Sequence, residues 1–180
     1  DSFHTGTFES DQNFLEILCV FSLLLEGIFF YSSFAVIFGF QRQNKLTGSA
    51  EQIQYIMRDE SQHLNFGINM INTIREEQPE LWTKEFQQHM VDLIKEAAKL
   101  EYTYAQEVFP KGIFGMNADG FKQYIEHIAD RRLAMVDLPT QFNVTNPFPW
   151  MSEAADLTKE KNFFETRVTE YQTGGTLDWN

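Results

Sequence analysis

Apolar positions along the chain fall into four long stretches with helical spacing, and no stretch keeps the two-residue alternation of a half-buried strand. Residues 1–10 are polar and aromatic without a clear period and read as a lead-in. Ser10 and Asp11 carry side chains that accept from the free N–H groups of a helix start. They predict a first helix that runs, apolar on nearly all sides, to about Phe40. Residues 41–49 are polar, with Gly48 as a break. A second helix is predicted over about residues 50–77, stopped by Pro79. Ile53, Ile56, Met57, Glu60, His63, Leu64, Gly67, Ile68 and Ile71 fall near one of its faces. A third helix is predicted over about residues 81–108, ended by Pro110 and Gly112, and a fourth over about residues 118–136. Residues 137–149, rich in Pro and Asn, read as loop. The polar stretch 151–180 contains Gly174 and Gly175 and is expected to be partly disordered. Short connections make successive helices antiparallel neighbours, so the pattern predicts an all-α bundle over residues 1–150 followed by a tail.

Residues 19–40 hold a single charge, Glu26, and nearly satisfy the ~20-residue length of a membrane span. No basic cluster precedes them, although Lys and Arg normally set the orientation of a span. Ser22, Ser32, Ser33, Gly27 and Gly39 interrupt the stretch, and a carboxylate at mid-span is costly in lipid. The central helix of a large bundle has the same pattern, and no membrane is expected as a partner.

Charge narrows the class further. The net charge of −12 argues against nucleic acid, because phosphate binding needs Lys and Arg gathered on one face. Most of the acidic groups are expected on a solvated surface, with a minority available as buried metal ligands. Eighteen Phe in 180 residues predict an interior rich in aromatic rings. The lone Cys19 cannot form an internal disulfide, which fits a reducing, cytoplasmic setting. Asp1 in place of Met reads as a processed product, a fragment or one half of a split protein.

The sharpest chemical feature is Glu60 and His63, at i and i+3 on a predicted helix, so that both side chains leave the same face. A carboxylate and an imidazole so placed can bind a first-row metal, yet the spacing alone is common and usually describes a surface pair. Glu26 adds to it. In the middle of an apolar helix an unpaired carboxylate costs several kcal/mol or takes up a proton, unless it grips a cation or bonds a neighbouring Ser or backbone group. One helix supplying Glu and another supplying Glu-x-x-His is the di-metal carboxylate pattern of ferritin-like bundles, which needs four carboxylates and two histidines. The chain holds one such set. Glu85 and His89, four apart, lie on a helix that reads as surface-exposed. Two copies about a twofold axis, or a second polypeptide, would have to supply the other set.

Four segments then carry a specific resemblance: Leu25-Glu26-Gly27-Ile28-Phe29-Phe30-Tyr31, Tyr55-Ile56-Met57-Arg58-Asp59-Glu60-Ser61-Gln62-His63, Asn146-Pro147-Phe148-Pro149-Trp150-Met151 and Asn162-Phe163-Phe164-Glu165-Thr166-Arg167-Val168-Thr169-Glu170-Tyr171-Gln172. In that order and spacing they resemble the C-terminal half of class I ribonucleotide reductase small subunits, most of all the manganese/iron subgroup. The resemblance implies a ferritin-like bundle with a di-metal centre, two Fe or Mn/Fe, for which Glu26, Glu60 and His63 are ligands. It implies that Phe30, Phe34 and Ile56 form an apolar wall beside the metals. It gives Asp59 the place of the aspartate that joins a ligand histidine to a tryptophan on the electron path. Tyr55 resembles a tyrosine of electron injection, and Tyr171 the tail tyrosine that relays the radical to the large subunit. Implied partners are the N-terminal half of the subunit, a second copy forming a dimer, and the large subunit. The segments that would supply the other ligands and the radical residue are not in this sequence. For each residue an ordinary role stands beside the implied one: core packing for the Phe, Ile and Tyr55 side chains, a surface ion pair for Asp59, an idle tail residue for Tyr171. Two other functions fit the same pattern, a ferritin-like oxidase without a reductase partner and a non-catalytic helical interaction module.

Overall fold

Thr7, rather than Ser10 or Asp11, caps the first helix in the computed structural model, which describes residues 6–108, 110–112 and 116–151. The Thr7 hydroxyl accepts from the Ser10 N–H at 3.2 Å and the Ser10 hydroxyl accepts from the Thr7 N–H at 3.3 Å. This reciprocal capping box places Ser10 inside the first turn. Helix α1 (Phe8–Cys19) continues into a π-helical segment (Val20–Phe29) and then α2 (Phe30–Gln41). The rod so formed is 34 residues long and apolar enough to cross a membrane by length and composition alone. Here Leu15, Cys19, Leu23, Ile28 and Ala35 on it are fully buried by the other helices, while Ile17 and Phe21 stay exposed.

A short turn leads to α3 (Thr47–Glu77). Gly48 lies within the first turn of α3 instead of breaking the chain. Reversal is achieved upstream, where Asn44 and Leu46 adopt left-handed φ values of 55° and 51°. Asn tolerates that conformation through its short polar side chain, whereas Leu pays for it by about 1–2 kcal/mol. Pro79–Leu81 forms a single 3-10 turn, so the third predicted helix starts later, as α4 (Lys84–Val108). Thr83 caps it by accepting from the Phe86 N–H at 3.1 Å. Asn117 caps α5 (Ala118–Met135) by accepting from the Gly120 N–H at 2.7 Å.

Among the described residues every regular element is helical. The core lies where α4 and α5 pack on each other and both meet the rod, with Phe38, Met57, Ile71, Met90, Ile94 and Phe121 almost wholly enclosed. After α5 the chain folds back on a buried carboxylate. Asp130 accepts from the N–H groups of Gln141, Phe142 and Asn143 at 2.6–3.2 Å, which turns residues 141–143 onto the bundle. The Asn146–Met151 motif finishes the body: the Phe148 ring lies 5.2 Å from those of Tyr124 and Trp150, and Met151 is buried. Of the expected tail 151–180, Met151 belongs to the body, and residues 152–180, with Tyr171, lie outside the described residues.

Candidate metal centre

Glu26 is carried by the π-helical segment and Glu60 and His63 by α3. A π-helix bonds each N–H to the fifth carbonyl before it, so it inserts an extra residue and rotates the following side chains relative to an α-helix. Such segments occur often at functional sites. Within this segment the Gly27 carbonyl accepts from the Nε–H of Arg132 on α5 at 2.8 Å. Gly27 leaves room for that approach, since a Cβ there would stand 3.0 Å from the Ser22 carbonyl oxygen and 3.1 Å from Arg132 Nε.

Among the described residues, Glu26, Glu60 and His63 are the one group of three potential ligands whose donor atoms gather within 4.8 Å of one another. Glu60 Oε2 lies 3.5 Å from His63 Nδ1 and is buried without a hydrogen-bond partner. A buried carboxylate oxygen left unbonded costs about 1–3 kcal/mol, more when charged. Glu26 is 8% exposed, and its carboxyl is pushed above the ordinary range first by burial and then by the charge of Glu60, with His63 opposing. Two crowded carboxylates, one unpaired oxygen and a neighbouring imidazole form a set that a cation would satisfy. Two oxygens and one nitrogen suit manganese or iron, and they amount to half of a di-metal carboxylate set. The cluster is open on one side: the His63 side chain is 59% exposed and that of Glu60 14%.

The other singled-out residues divide. Phe34 is buried and half-buried Phe30 lies against it, ring centres 6.4 Å apart. Ile56 is exposed on α3, so within this chain it does not close a wall with the two Phe rings. Tyr55 is half-buried and Asp59 exposed. His89 pairs with Glu16 of α1 at 2.9 Å on the surface, and among the described residues Glu85 and His89 belong to no cluster of potential ligands. Tyr31, Ser61 and Arg132 beside the cluster were not singled out from the sequence. The first two lie inside quoted motifs, but their hydroxyls meet at 2.6 Å only because the helices cross there.

Residues 2–147 match the protein family described as ribonucleotide reductase, small chain. The chain is 53% identical over 178 residues to a ribonucleoside-diphosphate reductase subunit beta from Chlamydia pneumoniae, covering 99% of this chain and 51% of that protein. It is 35% identical over 168 residues to a ribonucleoside-diphosphate reductase small chain from Plasmodium falciparum, covering 93% and 46%. A solved ribonucleotide reductase R2 subunit from Clostridium botulinum superposes with a TM-score of 0.76 at 28% identity, over 81% of this chain and 46% of that one. The chain thus spans about half the length of the curated relatives it matches.

Proposed function

Because the chain belongs to the ribonucleotide reductase small-chain family, we propose that it supplies one half of a dinuclear metal centre serving the reduction of ribonucleotides. The convergence of Glu26, Glu60 and His63 around an unbonded carboxylate oxygen carries this reading. The two carboxylates would offset the charge of the ions, and His63 would add a nitrogen ligand. A second acidic and Glu-x-x-His set, from the N-terminal half of the subunit, would complete the centre. When bound, the metal pair, Mn/Fe or two Fe, would supply oxygen activation and storage of an oxidising equivalent.

The remaining assignments concern the chain's own side chains. Phe30 and Phe34 hold water away from the ligand cluster, with Ile56 joining them once the open side is covered. Asp59 orients a ligand imidazole on that covering surface, as carboxylates beside metal-bound histidines commonly do. Tyr55 serves electron entry, and Tyr171 relays the oxidising equivalent to the large subunit. The subunit works in the cytoplasm as a dimer.

The test combines the chain with a polypeptide carrying the second ligand set, adds Mn(II) and Fe(II) under oxygen, and measures metal content and, with the large subunit, ribonucleotide reduction. About two metals per complex is the expected result. Failure to retain metal would end the reading.

A further inference from the structure

A buried cation lies beside the ligand cluster with no carboxylate at ion-pairing distance among the described residues. Arg132 is 5% exposed, and burial pulls its guanidinium down to about 10. Charges in such places are costly unless their hydrogen bonds are well used. Its Nη1–H donates to Met135 Sδ at 3.5 Å on its own helix, and the rest of the group is turned on one short piece of the rod. Its Nε–H donates to the Gly27 carbonyl at 2.8 Å, and its guanidinium carbon sits 4.7 Å over the ring of Tyr31. Gly27 follows Glu26 directly, and Tyr31 comes one turn later. A single side chain from α5 therefore holds the residue that follows Glu26 and the ring one turn further along the rod.

Tyr31 in turn reaches α3. Ser61 follows Glu60 directly, and its hydroxyl donates to the Met57 carbonyl at 2.7 Å. A serine has one proton to give, so in the 2.6 Å contact between the two hydroxyls Tyr31 is the donor and Ser61 the acceptor. The bond joins the two ligand-bearing elements at the residue beside Glu60. Its direction is fixed, and the Tyr31 ring is held between Arg132 and the edge of Phe34, 5.8 Å away.

We infer that Arg132, Tyr31 and Ser61 form a clamp that sets the separation of Glu26 and Glu60, and that all three are positioning residues for the metal ligands. The inference rests on the metal-binding reading. It explains why an arginine occupies a site where an apolar side chain of similar length would fill the space: only a donor can hold the Gly27 carbonyl. It also explains why the hydroxyl of Ser61 turns inward next to a ligand.

The experiment titrates the full chain with Co(II) alone, following its visible absorption, whose intensity reports coordination geometry. Metal-free thermal unfolding is measured alongside. Tyr31→Phe removes one hydroxyl and keeps the ring; Arg132→Lys keeps the charge and loses the directed Nε–H. Both are expected to weaken Co(II) binding about 10-fold or more and to change the absorption bands, as loss of groups that orient metal ligands commonly does. Ser61→Ala is expected to match Tyr31→Phe, and the double variant to add little, because both remove the same bond. Ser61→Thr, which keeps an acceptor hydroxyl, is expected to restore binding. Should Arg132→Lys fold poorly, Tyr31→Phe and Ser61→Thr carry the test. A Tyr31→Phe chain with unaltered affinity and spectrum, whatever its melting temperature, overturns the clamp while leaving the metal site standing. No Co(II) uptake by the unaltered chain overturns the clamp as a device of this chain, whereas the completed centre stands or falls on the metal content of the combined halves.

Discussion

A methyl group on Gly67 would stand 2.1 Å from the hydroxyl oxygen of Ser22 and 2.6 Å from its Cβ, so these two residues set how closely the ligand-bearing elements cross. In an open helix Gly→Ala gains about 1 kcal/mol. Here the blocking atoms include a Cβ tied to the backbone of the π-helical segment, which cannot swing away. Gly67→Ala is expected to destabilise by about 1–3 kcal/mol, read as a lower urea midpoint. An unchanged or raised midpoint would mean that the crossing is looser than described.

Removing Glu26 separates a ligand from an awkward core residue. Its carboxyl is buried and crowded by that of Glu60. Glu26→Ala is therefore expected to leave the metal-free chain as stable as before or slightly more so. The rise in melting temperature on adding Mn(II), in contrast, should disappear. Retention of that rise would place the metal elsewhere.

Asp130 stands as a single anchor for the turn after α5, where its two oxygens accept from three consecutive N–H groups. Asp130→Ala strips partners from half-buried donors and should cost on the order of 3 kcal/mol. Amide exchange should speed most at residues 141–143. Protection there equal to the parent would show that the turn is held by other contacts.

Glu101 gives a pH dependence of known sign. Burial raises its carboxyl above the reference value of 4.5, and the Ser32 hydrogen bond offsets this only in part. The folded chain thus keeps this proton to higher pH than the unfolded chain, so stability falls as pH rises from about 4.5 through the raised value. Glu101→Gln should flatten that fall without abolishing it, since Glu26 is shifted in the same direction. The measurement is the urea midpoint across mildly acidic pH in metal-free buffer.

Cys19 is fully enclosed, and burial pushes its thiol up to about 12. Thiolate is the reactive form. A disulfide reagent at pH 8 should leave the native chain unmodified and react only as the chain opens, at a rate that follows urea. Prompt labelling of the folded chain would contradict this burial.

The long helices and the three converging side chains of the cluster were legible because each has a local signature. Glu26 is the only charge in an apolar stretch, and Glu60 and His63 share a face at i and i+3. Helix starts were less legible. Ser10 is a fair cap, but Thr7 stands three residues earlier and closes a reciprocal pair with it, and a glycine such as Gly48 is tolerated in a first turn. The π-helical register left no trace, because a stretch apolar on all sides has no period to reveal an inserted residue. Arg131 and Arg132 are adjacent and chemically alike. Which of them turns inward depends on the Gly27 carbonyl, more than a hundred positions away in sequence and adjacent only after folding.

The half-exposed imidazole of His63 has a kinetic meaning. An ion resting on two acids and one ring, with water free to approach from the uncovered flank, leaves easily by stepwise hydration. How long it stayed would be governed by whatever surface closes that flank, so exchange should be fast on this chain alone and slow once the second set of helices is in place.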